Sequence, residues 1–224
     1  MQCFPAGDET VPAFWGTVRM AMNGTQQMFK VVRWVALAWM VVWLPAYVRV
    51  WGWANLLHWC DAAVILTFVG LWLGSARLIS SQALSALAAG LLWTANVGAR
   101  LLVGRFFASG SEYMWDARFP LWVRLLSFFH LLLPCVLIWS LWKLGYDRRG
   151  LRLQAAIALG LIVASRFLPP DLNMNWAYRD PLLGRSWGPA PVHLAVIWTG
   201  AVVLIYWPTH LVLARVFGRR QQKT

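Results

Sequence analysis

The chain has 224 residues, of which 60% are hydrophobic and 12% charged, with a formal net charge of +12. A soluble domain carries about 25% charged residues, so this composition excludes an ordinary soluble globular protein. Nor does the positive charge signal nucleic acid. The basic residues are scattered at the ends of apolar runs, where membrane topology and anionic head groups favour them. The 17 tryptophans suit the membrane–water interface, where the ring meets apolar surroundings and the N–H stays wet.

Residues 1–27 precede the first apolar run and read as a cytoplasmic or interfacial segment, with Phe14 to Phe29 expected along the membrane surface. Met1 to Thr25 is polar and mixed, unlike a secretory signal. A bilayer core about 30 Å thick needs about 20 mostly apolar helical residues. Six runs approach that length. They predict an all-α bundle of six transmembrane helices, at about 30–50, 54–74, 78–103, 119–144, 151–168 and 191–217. Together they form one membrane domain, 28–217, followed by a basic cytoplasmic tail, 218–224. No internal repeat or interdomain linker is visible.

Six spans put both termini on one side. The opposite side then holds Arg49, Arg100, Arg105, Arg118, Arg124, Arg166, Arg179 and Arg185, and the terminal side holds the other twelve of the 20 basic residues. The more basic side is cytoplasmic. The expectation is a multi-pass protein of a bacterial cytoplasmic (inner) membrane with both termini in the cytoplasm. The two long outer connections, 104–118 and 169–190, are rich in Trp, Tyr, Asn, Asp and Arg. Such loops tend to carry function. A polar pocket is therefore expected at the outer face, lined by the second, third and fourth helices and capped by residues 171–188.

Titratable groups inside apolar segments are costly, so each is a candidate site residue. His58, Cys60 and Asp61 open the second helix. His58 and Asp61 are three apart and share a face. An Asp can orient a His, and a His can deprotonate a thiol. Equally, Asp61 suits a helix N-terminus and Cys60 suits packing. His130 lies about eleven residues, roughly 16 Å, below the outer end of the fourth helix. Pro134 cannot donate to the His130 carbonyl, so an open or kinked helix is expected there. His130 can be a base, a metal ligand or an interhelical hydrogen-bond partner. Arg124 and Ser127 lead to it on the same face, and Asn96 and Arg100 form a polar stripe on the third helix. The chain has no phosphate loop, H-E-x-x-H or G-x-S-x-G motif. Neither a metal nor a cofactor is expected. Cys3, Cys60 and Cys135 form no disulfide framework.

Three stretches in order carry a family resemblance. Leu56-Leu57-His58-Trp59-Cys60-Asp61 resembles an L-x-H-L-C motif opening a helix. Pro120-Leu121-Trp122-Val123-Arg124, continuing to Phe129-His130, resembles a helix with an apolar approach to a histidine. Asn173-Met174-Asn175-Trp176-Ala177-Tyr178, followed by Trp187-Gly188-Pro189-Ala190-Pro191, resembles an N-Y-M…G-P-W-P stretch before a last helix. These motifs belong to the bacterial YwaF-like integral membrane family, related to animal transmembrane acyltransferases. The androgen-induced membrane hydrolases are similar in using a nucleophile and a histidine inside six helices. The resemblance spans roughly residues 50–215 and implies acyl chemistry on lipids, with Cys60 as nucleophile and His130 as base. By helix position Cys60 lies roughly 5–10 Å deep against about 16 Å for His130. Contact then requires a tilt, a deeper start to the second helix, or an inward dip of the first connection.

The expected function is a lipid-directed acyltransferase or hydrolase using Cys60 and His130, supported by His58, Asp61, Asn96, Arg124, Ser127, Asn173 and Asn175. The alternative is a non-catalytic protein that binds lipid or assists a membrane complex. Membrane lipids are the expected partners in both.

Overall fold

Backbone N–H and C=O groups inside a bilayer must be paired within the protein, and a helix pairs them locally. Every regular element among the described residues is helical. The computed structural model describes residues 10–108 and 110–218, with side chains from Met28 onward. Cys3 and most of the basic tail lie outside them. The helices are α1 (Thr10–Trp51), α2 (Trp59–Leu73), α3 (Ala76–Val103), α4 (Leu121–Leu126), α5 (Phe129–Leu144), α6 (Gly150–Ser165), α7 (Ala190–Gly200) and α8 (Trp207–Phe217), with a π-helical segment, Ala201–Tyr206, joining α7 to α8.

Among the described residues, four stretches are long and apolar enough to cross a membrane: Met28–Trp51, Ala76–Val103, Leu121–Leu144 and Ala190–Phe217. Two shorter apolar helices, α2 with 15 residues and α6 with 16, lie between them in the chain. Large apolar side chains face outward along the long helices, with Leu102 88% and Leu204 75% exposed. A water-facing surface does not sustain such patches, whereas lipid solvates them.

Helix α3 occupies the middle, touching α2, α5, α6 and α8. Its buried face carries Ser80, Ser81, Ala83, Ser85, Ala86 and Gly90. Small residues let membrane helices approach closely. A β-carbon on Gly90 would stand 2.3 Å from the His130 carbonyl oxygen and 2.6 Å from Pro134 Cγ. Only glycine fits this crossing, and α5 is held against α3 at His130, in the first turn of α5. At a second crossing, a β-carbon on Gly150 of α6 would come within 2.8 Å of Ser80 Cβ. Buried Gln82 donates to Ser81 Oγ at 2.8 Å and reaches Gln154 Oε1 of α6 at 3.5 Å.

Several details depart from the sequence reading. Among the described residues α1 runs unbroken from Thr10 through Trp51, with no separate surface helix before the first span. The second helix starts at Trp59 rather than near residue 54. Gly52, at φ +82°, turns the chain out of α1, and residues Trp53–Leu57 form a 3-10 turn. The fourth helix breaks at Ser127–Phe128, between α4 and α5, and not at Pro134, which lies inside a continuous α5. The amides after the break bond in the tighter i→i−3 pattern, His130 N–H to Ser127 C=O and Leu131 N–H to Phe128 C=O.

Candidate functional site

A 15-residue helix is about 22 Å long, about 8 Å short of a 30 Å bilayer core. The chain enters α2 from α1 through Gly52 and the 3-10 turn Trp53–Leu57. Asn175 fixes this entry. It lies in the 169–189 connection, is 6% exposed, and adopts φ +50°. Its Oδ1 accepts from the Trp59 N–H at 3.0 Å, the first amide of α2. Its Nδ2 donates to the Leu57 carbonyl at 2.7 Å and to Ser165 Oγ at 3.0 Å.

The result is a cavity of about 370 Å³ at the Trp51 end of α1, lined by Tyr47, Trp51, Asn55, His58, Cys60, Asp61, Gly110, Tyr113, Ser127 and His130. Cys60 and His130, which helix counting puts at different depths, line it together. Asp61 is 2% exposed. Its Oδ2 accepts from Asn55 Nδ2 at 2.6 Å, and the Cys60 sulfur lies 3.9 Å from its Oδ1. His58 lines the cavity with no side-chain hydrogen bond among the described residues.

His130 is held by its neighbours in one tautomer. Its Nδ1 lies 2.9 Å from the Ser127 carbonyl oxygen. A carbonyl only accepts, so Nδ1 carries the proton and Nε2 keeps its lone pair. The ring stacks on Trp93 at 4.9 Å and 13°. Trp93 Nε1 donates to the Tyr113 hydroxyl oxygen at 3.1 Å. An indole N–H cannot accept, so the Tyr113 proton is not spent on Trp93. Burial pushes the Tyr113 phenol well above its ordinary value, which keeps that proton in place. Opposite, the Tyr47 and Ser127 hydroxyls bond to each other at 2.6 Å.

The remaining candidates position loops. Asn96 does not line the cavity. It donates to the Ala108 carbonyl and Ser111 Oγ and accepts from the Phe107 and Ala108 amides, pinning the 104–120 connection. Arg124 donates to the Met114 carbonyl at 2.8 Å in the same connection. Asn173, at φ +39°, accepts from the Tyr178 and Arg179 amides and closes a turn. The cap also differs from expectation. Residues 104–120 cover the cavity through Gly110 and Tyr113, and α1 supplies a wall in place of α3. The 169–189 connection instead anchors the start of α2.

The sequence reading missed Tyr47, Trp51, Asn55 and Tyr113 as lining residues, and His193 as an anchor. His193 Nε2–H donates to the Trp176 carbonyl at 2.9 Å, and Nδ1 accepts from the Trp187 amide at 3.3 Å. Its position near the start of the last apolar run, after a polar connection, was the only available signal.

On the same helices an apolar groove of about 190 Å³ runs between α1, α2 and α5, lined by residues including Val32, Trp39, Met40, Val64, Phe68, Phe129 and Leu132. Phe129 is adjacent to His130, and Val64 is one turn after Cys60. Among the described residues no group of three or more His, Cys, Asp or Glu side chains is placed to hold a metal ion. No protein-family model, curated protein or solved structure matches the chain.

Proposed function

We propose that the chain is a six-span protein of a bacterial cytoplasmic membrane, with both termini cytoplasmic, and that the cavity performs acyl transfer or hydrolysis on a membrane lipid. The observation that carries this reading is the shared cavity of Cys60 and His130, with the Nε2 lone pair of His130 left free. The apolar groove supports it, because a chain lying along α1, α2 and α5 ends beside His130.

In this mechanism His130 Nε2 takes the Cys60 proton as the sulfur attacks the acyl carbonyl. The S–C bond forms, and the developing oxyanion meets the Tyr113 O–H and the free amides of the first turn of α2. The ester C–O bond then breaks, and the imidazolium returns its proton to the leaving alkoxide. A lipid hydroxyl or water attacks the thioester by the reverse steps, which regenerates the thiol.

The test is labelling by an acyl-type activity probe in intact native membranes. Cys60→Ala is expected to abolish labelling, and His130→Ala to slow it by about 10²–10⁴-fold. An unlabelled Cys60, or normal labelling in His130→Ala, would sink the catalytic reading.

One observation favours a second reading. The side chain that the thiol hydrogen-bonds among the described residues is the Asp61 carboxyl, not an imidazole. A protein that binds lipid head groups without covalent chemistry has no need of a thiolate. That protein would keep the cavity, the groove and an inert Cys60.

A further inference from the structure

We propose that the cavity recognises a ligand through a positively charged ammonium group, held by Asp61 against the rings of Trp51 and Tyr113. The inference rests on the cavity and its membrane setting, and it stands whether or not Cys60 is a nucleophile.

A buried carboxyl without a counter-charge takes up a proton, and a cation beside it restores the charged form. Asp61 is the one Asp, Glu, Lys or Arg side chain that lines the cavity. Its Oδ2 is engaged by Asn55, while its Oδ1 meets only the Cys60 thiol at 3.9 Å. No ion pair to it exists among the described residues, whose salt bridges are Arg77–Asp147 and Arg118–Asp116. The sequence holds 20 basic residues against eight acids, yet none of the described basic side chains lines this cavity. A cation brought by the ligand would hold this carboxyl in its charged form, with Oδ1 on the cavity side.

The walls suit an ammonium independently of the charge. Trp51 and Tyr113 meet edge to face, with ring centroids 5.4 Å apart and planes at 79°. Two perpendicular aromatic walls beside a carboxyl form the kind of corner that attracts ammonium ligands through the ring quadrupoles. Trp51 is backed by Phe119 at 4.0 Å and Tyr113 by the Trp93 N–H, so both rings are fixed before binding. The Tyr113 O–H then remains to donate to an ester or phosphate oxygen. In a bilayer the ligand of this chemistry is a zwitterionic lipid, and in solution it is a small amine or quaternary ammonium ion.

The experiment places the full-length protein in nanodiscs with fluorescent phosphatidylethanolamine, phosphatidylcholine or phosphatidylglycerol and measures retention. At least one of the two ammonium lipids is expected to bind at least tenfold more tightly than the glycerol lipid. Tetramethylammonium or ethanolamine is expected to displace it, and acetate at equal concentration is not. Displacement by the small ions without lipid preference would assign the site to a soluble amine. Asp61→Asn should abolish the preference. Should that variant fold poorly, the competition on the wild-type protein decides alone. Equal binding of all three lipids with no displacement by ammonium ions overturns the proposal, as does an unchanged preference in folded Asp61→Asn. Headgroup preference with an inert Cys60 would reject acyl chemistry and keep this inference, and a reactive Cys60 with neither preference nor displacement by ammonium ions would do the opposite.

Discussion

Replacing Asn175 tests whether a distant connection sets the position of Cys60. Asn175→Ala removes the acceptor for the Trp59 N–H and the donor to the Leu57 carbonyl, both at the start of α2. Ser165 keeps its bond to the Leu161 carbonyl and is not stranded. Each unpaired buried backbone group costs about 1–3 kcal/mol. Alanine at φ +50° adds about 1–2 kcal/mol of left-handed strain. The loss is about 3–8 kcal/mol, or at least about 6 °C in melting temperature at the 2–4 °C per kcal/mol expected for this chain length. Asn175→Gly loses the same hydrogen bonds without the strain and should melt about 2–8 °C above Asn175→Ala by the same conversion. The assay is thermal unfolding of purified protein in detergent, paired with the alkylation rate of Cys60 below the transition. That rate should change in both variants, because the first turn of α2 loses its anchor. An Asn175→Ala protein that melts within about 1 kcal/mol of wild type, with unchanged Cys60 alkylation, would refute the reasoning.

Other expectations can be checked alongside. Gly90→Val should destabilise the protein by about 1–3 kcal/mol or more in thermal unfolding, because its β-carbon meets rigid backbone and proline atoms. Gly98→Ala on the same helix has open space and should be neutral or stabilising by up to about 1 kcal/mol. Trp93→Phe keeps a ring beside His130 but removes the N–H donated to Tyr113, and should speed hydrogen exchange across residues 112–115 at a cost of about 1 kcal/mol. Reporter fusions at Thr224 and within 106–116 should report cytoplasmic and external locations respectively, and an external C-terminus would reverse the orientation.

Apolar length alone made the helical, membrane-embedded character legible, since six runs near 20 residues have few other uses. It did not make the helix ends legible. Hydropathy continues through Trp53 to Leu57, but Gly52 and the Asn175 side chain end one helix and start the next there. Spacing singled out Cys60, Asp61, Ser127 and His130 as polar groups in apolar surroundings, and all four line one cavity. Tyr47, Trp51 and Tyr113 escaped notice because an aromatic residue near a membrane interface looks like an ordinary interfacial anchor. Their role depends on how α1 and the 104–120 connection fold over the start of α2, a long-range contact that no local pattern encodes. Asn96 shows the converse. Its polarity within a helix was visible, yet its amide is spent on a loop.

Trapping a covalent intermediate tests the central claim most directly. Wild-type protein would be incubated with phospholipid vesicles, quenched in acid, digested and measured by mass spectrometry. The account predicts an acyl mass increment on the peptide bearing Cys60. That increment should be released by hydroxylamine, absent from Cys60→Ala and formed about 10²–10⁴-fold more slowly in His130→Ala. An unmodified Cys60, or an increment that appears only on the exposed Cys135, would contradict it.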